Sequence, residues 1–352
     1  MTSRERVLAA MDHKPVDRVP RVFKATPEVD AQLVGELRLD SLEELKAVFC
    51  VENLHWPFYR AKPRHPGETD PPEPGQVDRW GITRQSVDYG AGVYYEYVVS
   101  PVASASTVRE IEAYPWPDPD DLDFWNVSAE LDAWQDKARA APGISVFEVA
   151  WQMRGYQRFM EDLLLSPDLA AAMLERIEAY WTEVNNRLWE IGQGRFDIFM
   201  AADDFGTQQS LMMSRDTWLR YFGPIYRRAF AWAKERGLRT MLHCDGATRA
   251  IIPDLIGMGL DVLDPAQPLA EGMDPYEIKQ EFGKDLCIHG TMDVQRLLPF
   301  GAASEVEREV RRQIEVLGQG SGFILAPSHC IQPGTPVENI LAMYRAADEA
   351  AG

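Results

Sequence analysis

The chain has 352 residues, 45% of them hydrophobic and 26% charged, which is ample for a large core and excludes disorder for the bulk of the chain. It carries 36 basic against 55 acidic residues, a net charge of −19. Such a surface repels phosphate backbones and anionic lipids, so neither nucleic acid nor membrane is an expected partner. No run approaches the length of a membrane-spanning helix, and the first residues carry no apolar leader. The four cysteines (Cys50, Cys244, Cys287 and Cys330) form no CxxC pair, so a reducing, cytoplasmic setting is expected.

Thr2 and Glu5 have capping-box spacing ahead of an apolar stripe of Val7, Leu8 and Met11, which predicts an N-terminal helix. Arg18–Phe23 reads as a first strand, residues 40–48 as a helix and Val48–Leu54 as a second strand. Prolines 63, 66, 71, 72 and 74 mark an irregular stretch. Trp80–Ser100, rich in Tyr, Val and Thr around Gly90 and Gly92, reads as a β-hairpin. Residues 60–125 therefore read as an insertion or lid rather than a separate core.

From residue 126 strands and helices alternate. A helix is expected near 128–140, then the strand Ile144–Val149. Ser166-Pro167 opens a long helix to about Ile191. Strands follow at Phe196–Met200, Leu238–Leu242, Leu260–Leu263, Leu286–His289 and Phe323–Ala326. Between them, Ser214 caps a helix running to Arg236, another covers 247–258 with Pro253 as a kink, Asp274-Pro275 opens a third, and Ser304 a fourth. Thr335, Pro336 and Glu338 predict a capping box for the final helix. Eight short apolar strands separated by helices predict parallel pairing with both faces covered: an α/β chain, a (β/α)8 TIM barrel spanning residues 1–352, with a doubly wound open sheet as the alternative.

A barrel places its chemistry where the strands end. There stand Asp203, Asp204 and Gln208, then His243, Cys244 and Asp245, then Asp264 and Gln267, then His289 and His329. His243 and Asp245 lie two apart and can point the same way. With His329 they offer imidazole and carboxylate donors for zinc, manganese or iron, or else they hold loops by hydrogen bonding. Cys244 and Cys330 have the opposite strand parity and read as small buried hydrophobes. Asp203 and Asp204 are acid–base candidates, or caps of the following turn. Glu148, late in its expected strand, is either paired or functional. Trp80, Tyr94, Trp151 and Tyr156 read as core or lid contacts, with an aromatic pocket wall as the alternative.

The segments Arg4–Pro20, His243–Gly246 with Ile252–Ile256 and Asp261–Pro265, and Ala326–Gln332 with Pro336–Ile340 resemble the signatures of the uroporphyrinogen decarboxylase superfamily. The resemblance covers nearly the whole chain and implies a (β/α)8 barrel. The decarboxylases' arginine-rich segment is Val22–Pro27 here, with Lys24 its only cation, so the tetrapyrrole reaction is not implied. The nearer branch transfers methyl groups between a corrinoid protein and a thiol, and holds zinc with a His-x-Cys pair and a later Cys. His243 matches the first ligand, while Asp245 and His329 fall where the cysteines stand. The resemblance thus implies methyl or small-alkyl transfer using a divalent metal, zinc above all, on His243, Asp245 and His329, with a corrinoid carried by a partner protein. Asp203, Asp204 and His329 are the expected catalytic residues. Lys24, Glu148, Gln208, Gln267 and His289 are expected to contact a small-molecule substrate. A metal-free decarboxylase or lyase acting on a small acid is the alternative.

Overall fold

The computed structural model describes residues 1–62, 75, 77–90 and 92–350; the proline run 63–74 lies outside them. Six parallel strands lie side by side in chain order: Ala140–Pro142, Ile198–Ala202, Arg239–His243, Val262–Asp264, Cys287–His289 and Phe323–Ile324. Parallel neighbours require crossovers. Helices Pro167–Gly192, Gly223–Glu235, Ile252–Met258, Pro275–Phe282 and Ala303–Leu317 lie in the five connections, and Val337–Glu349 closes the chain.

The two edges of this sheet are joined through two further segments. Arg21 bridges Leu325 in parallel, with Val22 N–H donating to the Leu325 carbonyl at 2.8 Å. Glu52 N–H donates to the Arg21 carbonyl at 2.7 Å, and His55 bridges Arg139 in parallel. These segments are the expected strands Arg18–Phe23 and Val48–Leu54, reduced to single bridges. The Asn53 side chain, 30 residues away in the chain, rather than a backbone neighbour both accepts from Phe23 N–H (2.9 Å) and donates to the Phe23 carbonyl (2.8 Å).

Residue parity sorts the sheet into two faces. Val22, Ala140, Ile198, Met241, Val262, Cys287 and Ile324 share one core with Val7, Ala10 and Met11 of the N-terminal helix Ser3–Met11, whose Thr2–Glu5 capping box forms as expected. Phe199, Leu242, Leu263, Ile288 and Phe323 pack on the opposite face with the crossover helices. Continuing the first parity places Lys24, His243, Asp264 and His289 on the inner face, just where their strands end. Trp80, Ile82, Val102, Ala105 and Ile111 belong to the outer core, so described parts of the 60–125 stretch are packed into it. The expected hairpin forms from Thr83–Asp88 and Val93–Val99, and every residue of its second strand is exposed.

Several expectations are corrected. Ile144–Val149 is not a strand: the strand is Ala140–Pro142, and Phe147–Arg154 is a helix. The helix expected from 214 to 236 divides into Arg215–Tyr221 and Gly223–Glu235, where Pro224 near the start of the second removes a backbone donor. Residues 247–258 form a 3₁₀ turn, Arg249–Ile251, before Ile252–Met258, with Pro253 in its first turn rather than at a kink. The helix expected near 128–140 is only Val127–Ala133. No capping box forms at Thr335; the helix starts at Val337 behind Pro336.

Candidate metal centre

Asp264, ending its strand on the inner face and 4% exposed, accepts from two imidazoles at once. His243 Nδ1 lies 2.9 Å from Oδ2 and His289 Nδ1 lies 2.7 Å from Oδ1. Register places His243 directly opposite Asp264. Burial alone would raise the Asp264 pKa, but the two histidines hold it well below the usual carboxylate range. Burial lowers the His243 pKa, yet the charge and hydrogen bond of Asp264 outweigh it and the net shift is upward. With Nδ1 engaged, His243 keeps Nε2 for the site. His289 is buried at 5% exposure, and its Nε2 has no hydrogen-bond partner among the described residues.

His243, Asp245 and His329 each offer one donor atom, and these atoms lie within 4.8 Å of one another. The His243 and His329 ring centroids are 6.0 Å apart, and His329 Nε2 lies 3.8 Å from Asp245 Oδ2. Asp245 Oδ1 is buried without a hydrogen-bond partner. Burial pushes the Asp245 carboxyl up to about 6; His243 opposes this, and Asp204 and Asp264 add to it. Burial lowers the His329 pKa, helped by Lys24 and His243, which leaves its imidazole neutral near pH 7. Three convergent donors, on residues that include a carboxylate with one buried oxygen left without a hydrogen bond, fit a divalent cation.

The loop carrying Asp245 is set by two glycines in contact. A Cβ on Gly246, whose φ is +86°, would lie 2.5 Å from the Gly206 carbonyl carbon. That approach lets Asp245 N–H donate to Asp204 Oδ1 (2.8 Å) and Gly246 N–H to Gln267 Oε1 (2.7 Å). Asp204 is half-buried beside the cluster, whereas Asp203, 1% exposed, lies beneath it. The Asp203 carboxylate accepts from Val146 N–H (2.9 Å), Glu148 N–H (2.9 Å) and the Tyr226 hydroxyl (2.7 Å). Burial nonetheless pushes its pKa up to about 6.

Glu148 sits in the first turn of the Phe147–Arg154 helix, its carboxyl pushed up to about 7 by burial and by Asp203 and Asp204. Gln208, Gln267, Asp245, His329 and Cys330 line one cavity of about 340 Å³. Lys24 lies within electrostatic reach of His243, Asp245 and His329, and its ammonium has no hydrogen-bond or ion-pair partner among the described residues. Cys244 is fully buried, its Sγ accepting from Phe205 N–H. Cys330 is half-buried on the cavity wall rather than in the core. Asp264 is legible as a strand-end carboxylate in the sequence but without a role, which inner-face parity gives it; Tyr226 has no local signal that marks it.

Residues 80–350 match the uroporphyrinogen decarboxylase (URO-D) family, and the chain belongs to it. Its similarity lies with the methyltransferase members. Methylcobamide:CoM methyltransferase MtaA of Methanosarcina barkeri is 24% identical over 99% of this chain and 98% of its own. Methylated-thiol--coenzyme M methyltransferase of Methanosarcina mazei is 25% identical over 58% of this chain, a match spanning about half (51%) of that relative's length. A solved methyltransferase structure from Methanosarcina mazei covers all of both chains with a TM-score of 0.71 at 19% identity, a likeness of fold. Among the described residues no helix is long and apolar enough to cross a membrane.

Proposed function

We propose that the chain is a methyltransferase built on a closed (β/α)8 barrel, acting on a small molecule with a divalent metal on His243, Asp245 and His329. The hydrogen-bonded circuit through Arg21 and Glu52 supports the closed barrel. The observation that carries the function is the convergence of three donor atoms within 4.8 Å at the strand ends of a chain related to methyltransferases. The relatives do not favour the decarboxylase alternative.

When bound, the ion supplies a Lewis acid at the substrate atom that gains or gives up the methyl group. Two imidazoles and a carboxylate are harder donors than thiolates, so zinc here suits an oxygen-bearing substrate better than a soft one. Asp264 fixes the tautomer and orientation of His243. Lys24 faces the cluster as a counter-charge for an anionic part of the substrate. Asp204 holds the Asp245 loop and is placed to take or return a proton. Asp203, already engaged with three donors, acts by fixing the turn at 146–148. Gln208 and Gln267 face the substrate, His289 braces Asp264 and through it His243, and a corrinoid carried by a partner protein would supply or receive the methyl group.

The test combines metal content with turnover. Chelator-stripped protein is expected to lose methyl exchange with a corrinoid and regain it with one equivalent of zinc, while His243→Ala and His329→Ala neither bind zinc nor recover. Full turnover by stripped protein would remove the metal from the scheme.

A further inference from the structure

Helices Pro167–Gly192 and Gly223–Glu235 are tied together at two points. Arg228 donates to both carboxylate oxygens of Glu178, at 2.7 Å each, and the Trp232 indole N–H donates to Asn186 Oδ1 at 2.8 Å. Ala179 and Ala229 also stand between the two helices and are too short to fill the gap. A crevice of about 580 Å³ remains on the outer side of the sheet, and Ile144, Phe199, Ile225 and Trp232 make its walls apolar.

Two features select its ligand. The first is Asn185, which lines the crevice and is 3% exposed. Its amide nitrogen donates to the Gly143 carbonyl (2.8 Å) and the Trp181 carbonyl (2.7 Å). Those two acceptors fix the amide's orientation, since a flip would set oxygen against oxygen. The nitrogen is thus spent, while Oδ1 is buried with no hydrogen-bond partner among the described residues. A buried acceptor left this way calls for a donor. The second feature is charge. Glu175, Glu178 and Glu183 line the crevice against one cation, Arg228, which Glu178 already holds. Glu183 pairs with Arg187, outside the lining, at 2.8 Å. An anionic ligand would therefore meet carboxylates and no uncommitted lining cation. Thr182 completes the lining and is exposed and uncharged.

The crevice backs onto the framework of the metal centre. Asn185 holds the Gly143 carbonyl, and one helical turn earlier the Trp181 indole donates to the Ser145 carbonyl at 2.9 Å. The same stretch of chain gives the Val146 and Glu148 N–H groups to Asp203. Residues 143–148 are clamped between the long helix on one side and the strand-end carboxylate on the other.

We propose that this crevice binds an apolar molecule with one hydroxyl group and no negative charge, and that its occupancy steadies the 143–148 turn. The body of the ligand lies on Ile144, Phe199, Ile225 and Trp232, and its O–H donates to Asn185 Oδ1. The site is separate from His243, Asp245 and His329 and does not depend on the methyl-transfer reading.

Calorimetry on the zinc-loaded full chain tests this with three probes of similar length: 1-octanol, its isomer heptyl methyl ether (no donor) and octanoate (an anion). 1-Octanol is expected to bind at least about fivefold more tightly than the ether, the ratio one hydrogen bond provides, and octanoate more weakly than either. Asn185→Leu should bind octanol and the ether equally. Ala179→Trp, at an exposed position on the helix, should fill the crevice and abolish octanol binding with native circular dichroism. Amide hydrogen exchange at Val146 and Glu148 should slow when octanol saturates the chain and stay unchanged with octanoate. Equal affinity for octanol and the ether, octanoate as the tightest probe, or no binding of any would overturn the proposal. So would wild-type affinity in folded Ala179→Trp, or unchanged exchange at both amides under saturating octanol. His243→Ala/His329→Ala separates this from the metal centre: it should lose zinc and keep octanol.

Discussion

Replacing Asp264 by Ala removes the acceptor shared by His243 and His289, at 2.9 and 2.7 Å. Neither imidazole then has a fixed tautomer, and His243 loses what directs Nε2 toward Asp245 and His329. Partners of this kind are worth 10- to 100-fold in metal affinity, or about 1.4–2.7 kcal/mol. Each buried ring nitrogen left without a partner costs about 1–3 kcal/mol of folding stability as well. A competition titration of zinc against a chromophoric chelator, with urea unfolding of the same samples, separates the two effects. Asp264→Asn, which can still accept from one ring, should fall between wild type and Asp264→Ala. The pH dependence has a definite sign. Because the folded-state pKa lies below the unfolded value of 3.8, the carboxylate's contribution is present above that value and fades as pH falls through the folded pKa. The stability gap to Asp264→Ala should therefore be largest near pH 5, narrow as pH rises through the raised pKa of His243, and close in strong acid. Zinc affinity within threefold of wild type in a folded Asp264→Ala protein would refute the idea that this carboxylate builds the site.

Glu148 has a folded pKa of about 7 against 4.5 unfolded, so its contribution to stability is full below 4.5 and is lost as pH rises through 7. Relative to Glu148→Gln, wild type should weaken between pH 5 and 8 by on the order of 2 kcal/mol, less than a fully buried group would show, as read from urea midpoints. Arg154 is buried, pairs with Asp162 at 2.6 Å and donates to the carbonyls of Val102 and Ala105 at 2.7 Å each. Arg154→Met leaves the Asp162 carboxylate and the Ala105 carbonyl without this donor, while Val102 keeps the Ala105 N–H at 3.2 Å, and should cost about 3–5 kcal/mol in urea unfolding. Gly246→Ala places a Cβ against Gly206 at a positive φ and should weaken zinc binding at least about tenfold by displacing the Asp245 loop, measured by the same chelator competition. Cys330→Ser, outside the convergent donor set, should leave zinc affinity within about threefold, since a surface change away from such features costs little.

Much of this protein was legible in its primary structure because the signals are local. Apolar runs of four to six residues, alternating with capped amphipathic stretches, marked most of the strands and helices. Polar residues just past those runs marked the rim, so His243, Asp245 and His329 could be grouped before any coordinates were known. What escaped was decided by side chains distant in the chain. The run Ile144–Val149 reads as a strand, yet it turns into a helix at Phe147 because the Asp203 carboxylate gathers the N–H groups of Val146 and Glu148, a cap donated from 55 or more residues away. The two expected strands Arg18–Phe23 and Val48–Leu54 shrink to bridges because Asn53 takes both polar groups of Phe23. Strand parity could say which way Asp264 points, but only packing brought His243 and His289 to its two oxygens. Hydrophobic periodicity is written into consecutive residues and survives without a fold; hydrogen bonds between side chains remote in sequence exist only once the chain has closed on itself.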